Sequence, residues 1–444
     1  MIVNGIIAEY NPFHNGHAHH LAASRAETGA DYSIVVLGSN FTQRGEPALL
    51  DKFVRAKMAL ENGADLVIEL PISHSCASAE YFARGGVSIL DQLGLVDYLC
   101  FGSECGDAAI LQKFADVLML EPETYVADLK SGLAAGHSYP AARNRAILHC
   151  APELAAYEDV LSSPNNILGI EYLKALKLYD STIKPFSIPR AGAGYHDRML
   201  DKEYVSAMAI REALMAAVTG NDGVPQAAGN AAAPQGTGKY GEDGAQEGYL
   251  NALASLKGQM PETAYEILLQ SLKETPPITT GDFSHMLLYK LLMEGPEGYH
   301  RFFDVSSDLS DRIYNSLKQY EGYEAFCDLL KSKNMTYARI SRCLLHVLLD
   351  LKKEDLLAYG EMGRIPYARV LGFRKDAAPL LSKLKETSRI PLVTKLSAAA
   401  DELSPAAYSL LTQDLRRGSI YESIAALKSG RRARDEREIP MEII

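Results

Sequence analysis

The chain has 444 residues, too many for one ordinary compact core and suited to two or three domains. Its 47% hydrophobic and 23% charged content, with no Trp, is that of a soluble globular protein, and no run of about 18 uncharged apolar residues offers a membrane span. The net charge of −11 disfavours a polyanionic partner on average, but residues 249–444 carry 27 Lys+Arg against 26 Asp+Glu, which leaves 18 and 30 in the first 248.

The first residues, Met1 to Ala8, lack the basic stretch of a signal peptide and read as a strand over 2–8, so the expected compartment is the cytoplasm. A polar loop with Pro and Gly follows, then a helix over 16–29 that Gly29 ends. Tyr32–Leu37 is a second strand, 51–62 a helix stopped by Asn62-Gly63, and Leu66–Leu70 a third strand before Pro71. Residues 76–93 look helical, and Val96–Phe101 forms a fourth strand closed by Gly102-Ser103. Strands alternating with helices in this way predict βαβ units and a parallel sheet of the Rossmann-like, doubly wound α/β class. Residues 107–180 are mainly helical with a break at Ser162-Ser163-Pro164, Ile183–Ile188 is a last strand, and 206–217 a helix. The Gly-, Ala-, Asn- and Gln-rich stretch 218–248 reads as a flexible linker or insertion. From Tyr249 helical periodicity dominates. The expected domains are therefore a Rossmann-like α/β unit over 1–217, the linker 218–248, and a mainly α-helical unit over 249–444. None of the six cysteines falls in a CxxC pair, so they read as reduced, mostly buried thiols, and no metal ligands are assigned.

Chemistry concentrates in the loop Glu9-Tyr10-Asn11-Pro12-Phe13-His14-Asn15-Gly16-His17, which joins a strand to a helix at the edge where open α/β sheets bind ligands. The helix start offers free N–H groups and a positive dipole end to phosphate. His14 and His17, three apart, can face one side and donate to phosphate oxygens, stabilising charge on an α-phosphate and departing pyrophosphate. Alone, an HxxH also suits a metal pair or a surface pair. Its place in the first strand-to-helix turn favours phosphate. Of His19 and His20, one is expected near the site and one in solvent.

Asn11-Pro12-Phe13-His14-Asn15-Gly16-His17 resembles the (T/H)xGH motif of the adenylyltransferase superfamily. With Phe41-Thr42-Gln43-Arg44-Gly45-Glu46-Pro47-Ala48, Asp65–Pro71, Phe101-Gly102-Ser103-Glu104, Pro164–Gly169, Tyr367–Gly372 and Ile390–Leu396, the resemblance extends along essentially the whole chain to the bacterial tRNA(Met) cytidine acetate ligase family. The resemblance implies that ATP and acetate give acetyl-adenylate and that the acetyl group passes to N4 of the wobble cytidine of elongator tRNA(Met). It implies ATP contacts from Ile7, Ala8, Glu9, Tyr10, Asn11, Pro12, Phe13, His14, Asn15, Gly16, His17, Ala18, His19 and His20, and from Gly102, Asn165 (or its neighbour Asn166) and Arg190. Mg²⁺ is expected to accompany ATP through phosphate and water. Where relatives carry a hydroxyl-rich phosphate clamp, this chain has Ser206-Ala207-Met208-Ala209-Ile210-Arg211, leaving Ser206 and Arg211 as candidates, with Ser206 equally readable as a helix cap. Gln43, Arg44 and Glu46 either position the cytosine, close the acetate pocket, or form a surface ion pair.

Residues 331–395 hold 14 basic and 6 acidic side chains, the segment a polyanion would meet. Lys331, Lys333, Arg339, Arg342, Arg369, Arg374, Lys375 and Lys395 are the candidate tRNA contacts, with a solvated helical surface as the alternative. Two other functions fit parts of the sequence: a small-molecule adenylyltransferase, which leaves the basic half unexplained, and a non-catalytic RNA-binding protein that keeps an ATP fold.

Overall fold

The computed structural model describes residues 1–190, 205–219, 251–361 and 364–444. Apart from a helix end at 218–219, the expected linker lies outside these. The core is one sheet in the order β5-β4-β1-β2-β3-β6-β7, with β8 also on β6. β1 (Val3–Ala8), β2 (Tyr32–Gly38), β3 (Leu66–Leu70), β4 (Tyr98–Ser103) and β5 (Lys184–Pro189) are all parallel. The chain runs outward from β1 through β2 to β3, then returns to lay β4 on the other side of β1. That reversal between β1 and β4 opens a crevice at their carboxyl ends.

Both faces of the sheet are covered, which is why its central strands are apolar without alternation. Val3 and Ile7 point to a core that also holds Val36, Val87, Phe101 and Ile170. Ile6 points to the opposite core, with Leu21, Val35, Ala59 and Leu60. Helices α1 (Asn15–Thr28) and α2 (Lys52–Glu61) supply the second face. The first is covered by α4 (Ala79–Gln92) and α8 (Pro164–Leu178), with a short turn, α3 (Ile72–Ser75), after Pro71. Helices α5 (Ala108–Leu120), α6 (Glu123–Ala134) and α7 (Tyr139–Cys150) fill the helical stretch before α8, and α9 (Ala207–Thr219) packs on the second face.

Residues 251–444 are mostly helical, with their own core around Leu287, Phe302, Phe326, Ile340 and Leu344. They also extend the sheet, which helical periodicity did not foretell. β6 (Ala368–Phe373) runs antiparallel to β3 and pairs Glu69 with Arg369, and β7 (Leu392–Val393) and β8 (Glu442–Ile443) join β6. Two-residue strands carry no period to read, and β6 is interrupted by a charge.

That charge explains itself in the fold. The Arg369 side chain is 7% exposed, and Nη1 donates to Glu69 Oε2 at 2.8 Å and to Glu436. Lys52 Nζ donates to Glu69 Oε1 at 2.6 Å and also meets Glu436. The expected tRNA contact at Arg369 is therefore corrected: the residue is spent in a buried four-charge network that joins β3, α2, β6 and the chain end. Removing one member of such a network leaves buried charges uncompensated. Arg369→Ala is expected to lose about 3–5 kcal/mol of unfolding free energy in a urea titration.

Candidate active site

The crevice at the β1/β4 reversal is a cleft of about 270 Å³. Its floor is the loop after β1. Tyr10 there takes a left-handed φ of 46°, Asn11 Oδ1 accepts from Leu49 N–H at 2.8 Å, and Arg211 Nη1 donates to the Asn11 carbonyl at 2.7 Å. The loop ends at His14, the N-cap of α1. Gly16 N–H donates to His14 Nδ1 at 3.1 Å, and His14 N–H donates to His17 Nδ1 at 3.3 Å. This is a capping box made of two imidazoles, whose rings stack at 3.7 Å between centroids. A Cβ at position 16 would lie 2.9 Å from the His14 ring, so glycine is required for the fit.

The cap decides the proton positions. With Nδ1 accepting on both rings, a neutral imidazole carries its proton at Nε2. Burial keeps both rings neutral: it pulls His14 down to about 3, with Arg190 and Arg211 adding repulsion, and pulls His17 well below its ordinary value. Two neutral N–H donors thus line the cleft beside a helix N-terminus whose first turn holds no acid.

Gly102, Asn165 and Arg190 form the wall on the β4/β5 side. A side chain at 102 would meet Arg190 Cγ at 3.3 Å. Asn165 lines the cleft, with Nδ2 donating to Glu104 Oε1 at 2.7 Å and Oδ1 accepting from Arg190 Nη1 at 3.5 Å. Asn166 is buried and turned away, its Oδ1 taken by Cys105 N–H at 3.0 Å. His19 and His20 both reach the cleft: His19 is exposed, while His20 has a buried Nε2 without a hydrogen-bond partner among the described residues and a pKa that burial lowers to about 4.

Gln43, Arg44, Ser206 and Arg211 close the opposite side. The 41–48 loop is held from the helical half. Ser341 Oγ donates to Gly45 O at 2.8 Å, Arg342 Nη1 to Gln43 O at 3.3 Å, and Tyr421 to Ala48 O at 2.8 Å. Gly45 has a φ of 80°, and a Cβ there would lie 2.3 Å from the Arg342 nitrogen. Phe41 sits in the helical core, edge-on to Phe283 and Tyr421. Ser206 Oγ accepts from Ala209 N–H at 3.1 Å, the capping geometry. Among the described lining residues Glu9 is the one carboxylate, against Arg44, Arg190 and Arg211, so the cleft favours anions. Burial raises the Glu9 pKa, and its Oε1 accepts from Gln43 N–H at 2.7 Å.

Some expected contacts do not line the cleft: Pro12, Phe13, Asn15, Ala18 and Glu46. Phe13 is wholly buried, Asn15 Nδ2 donates to Gly258 O at 2.7 Å, and Glu46 uses its carbonyl to accept from Thr42 N–H at 2.8 Å. Of the basic set, Arg342 is drawn inward as a brace of the 41–48 loop, which corrects its reading as an RNA contact. Lys331, Lys333, Lys375 and Lys395 are exposed, Lys331 pairing with Asp328 and Lys333 donating to Gly136 O; Arg339 pairs with Asp304 and Arg374 with Asp376. Arg55, Phe82 and Tyr172 were missed. Lys52, Arg55, Ala56 and Ala59 share one stripe of α2, and cations on an otherwise apolar stripe were the available signal.

No group of three or more His, Cys, Asp or Glu is placed to hold a metal among the described residues, and no helix among them is long and apolar enough to cross a membrane. All six cysteines are free.

A doubly wound sheet with paired neutral imidazoles capping its first helix defines a nucleotidyl transferase fold. The family model for HIGH nucleotidyl transferases matches residues 1–437. The tRNA(Met) cytidine acetate ligase of Halothermothrix orenii is 36% identical over 99% of both chains, and that of Acetivibrio thermocellus 37% identical over 95% of this chain and 94% of its own. The crystal structure of Thermotoga maritima TmcAL bound with alpha-thio ATP superposes with a TM-score of 0.82 and 28% identity, covering 100% of this chain and 99% of that one. The chain belongs to the HIGH nucleotidyl transferase family, among its tRNA(Met) cytidine acetate ligases.

The buried imidazoles set a pH dependence. Unfolded, each takes its proton near 6.5; folded, His14 takes it only near 3. Between those values the unfolded chain binds more protons, so stability is complete above about pH 6.5 and falls as pH drops, by up to about 1.4 kcal/mol per pH unit for each ring. His14→Asn, which keeps a capping oxygen, is expected to flatten the fall in urea midpoint between pH 6.5 and 4.

Proposed function

We propose that this chain activates acetate with ATP and transfers the acetyl group to N4 of the wobble cytidine of elongator tRNA(Met). The observation that carries the reading is the imidazole pair: two neutral Nε2–H donors beside a helix N-terminus, in a cleft whose described lining holds three arginines and one carboxylate. An acetate oxygen attacks the α-phosphorus of ATP, the bond to the β-phosphate oxygen breaks, and pyrophosphate leaves. His14, His17 and the α1 N–H groups stabilise the charge that builds on the phosphoryl oxygens. N4 of cytidine then attacks the acetyl carbon, the acyl–phosphate bond breaks, AMP leaves, and N4 loses a proton. No protein nucleophile is needed.

Asn165, Gly102 and Arg190 would hold the adenosine side, and Arg211, with Ser206, the phosphate side. The described donors of the cleft do not fit a dedicated Mg²⁺ cage, because the one carboxylate among them, Glu9, already accepts from Gln43 and faces arginines. Mg²⁺ would be held by phosphate and water.

The tRNA would lie across the exposed lysines Lys331, Lys333, Lys375 and Lys395 together with Arg339 and Arg374. Replacing Lys375 and Lys395 with Ala is expected to weaken tRNA binding and to lower its salt slope by about one for each phosphate left without its cation.

Incubation with labelled acetate, ATP and tRNA(Met) tests the reaction. Label should enter the tRNA, and His14→Ala or His17→Ala should lower the rate by about 10²–10³-fold while tRNA binding stays unchanged. Absence of label with intact ATP binding would overturn the reading.

A further inference from the structure

Two phenols of the cleft lining are buried with no hydrogen-bond partner among the described residues, Tyr10 beside His17 and Tyr172 on α8. Tyr172 is 2% exposed, and burial together with the nearby Glu9 charge keeps its hydroxyl protonated, so it remains a donor with nothing to donate to. A buried hydroxyl in that state costs free energy unless a ligand accepts from it.

Apart from Glu9, whose carboxylate is held by Gln43 N–H, its surroundings are apolar. Ile7, Phe82, Phe101 and Leu168 share this end of the cleft with it, and Phe101 lies 5.6 Å from the Tyr172 ring. Two glycines draw the walls together. A Cβ on Gly86 would lie 2.5 Å from Ile7 Cδ1, and one on Gly169 would lie 2.8 Å from Phe101 Cε2. Helices α4 and α8 therefore press directly on Ile7 of β1 and Phe101 of β4. A tight apolar end with one enclosed, unpartnered hydroxyl matches a small carboxylate: a hydrogen-bond donor for an oxygen, and a short hydrocarbon tail against apolar walls. ATP offers no such apolar tail, and cytosine has none.

We propose that Ile7, Phe82, Phe101, Leu168 and Tyr172 form the carboxylate subsite, in which the Tyr172 hydroxyl donates to the oxygen that does not attack phosphorus and the apolar walls set the acyl length. The assignment rests on the acetate-activating reading above. Tyr172 is a positioning residue for the nucleophile. The attacking oxygen still forms the bond to the α-phosphorus, and pyrophosphate still leaves.

Carboxylate-dependent exchange of labelled pyrophosphate into ATP tests it with the full chain, using acetate, propionate and butyrate. Tyr172→Phe should raise the KM for acetate about tenfold and leave the KM for ATP within about twofold. Leu168→Ala, and Phe82→Leu as a second wall variant, should raise kcat/KM for propionate or butyrate relative to acetate by about tenfold or more. Calorimetric ATP binding at wild-type affinity would show that the variants are folded. An unchanged acetate KM in Tyr172→Phe, equal rises for acetate and ATP, or an unaltered acyl order in both wall variants would overturn the subsite while leaving acetate activation standing. Wild-type exchange that no carboxylate stimulates would overturn both.

Discussion

One buried guanidinium holds the site in shape. Arg55 on α2 is wholly enclosed. Its Nε donates to Leu50 O at 2.9 Å, Nη1 to Glu9 O at 2.6 Å and Gly38 O at 2.9 Å, and Nη2 to Ser39 O at 2.5 Å. Those carbonyls end β1, end β2 and begin α2. Each charged hydrogen bond of this kind is worth about 1.5–3 kcal/mol, and leaving the carbonyls unpaired in the interior costs more. Because Arg55 bonds the backbone of Glu9 and not its carboxylate, the loop is fixed while the carboxylate keeps its separate bond from Gln43 N–H. The positions of Tyr10 and the histidines follow from it.

The catalytic arrangement also depends on neutrality. In most helices a capping box uses a hydroxyl and a carboxylate. Here imidazoles take both places, so the groups that cap the helix are also groups that line the cleft. A carboxylate cap would repel a triphosphate. Imidazoles avoid that, and their enclosure suppresses the charge that water would otherwise give them in mild acid. The same enclosure tightens electrostatic contact with a developing anion.

The α/β half was largely legible because its signals are local. Apolar runs closed by Gly or Pro predict β1 to β5 to within a few residues, and the strand-to-helix turn with His14 and His17 identifies the site. Harder to read were features set by distant partners. Arg369 looks like a surface cation until Glu69 and Glu436 are placed against it. Tyr172 looks like an ordinary core aromatic on a helix until α8 is laid over the end of β4. The three added strands are recognisable only once β3 presents an edge for them. Asn165 and Asn166 are adjacent in sequence, and only the path of Cys105 decides which of them turns to the cleft.

The 41–48 loop gives the molecule a thermodynamic property as well as a shape. Gln43 and Arg44 face the cleft, while Phe41, Gly45 and Ala48 are held by helices of the other half. A ligand that shifts the helix Tyr337–Leu348 therefore changes the free energy of placing Gln43 and Arg44. Linkage requires the reverse to the same degree: whatever factor a bound nucleotide applies to affinity on the helical half, an occupant there applies to the nucleotide. Filling the cleft and occupying the helical half are two readings of one equilibrium.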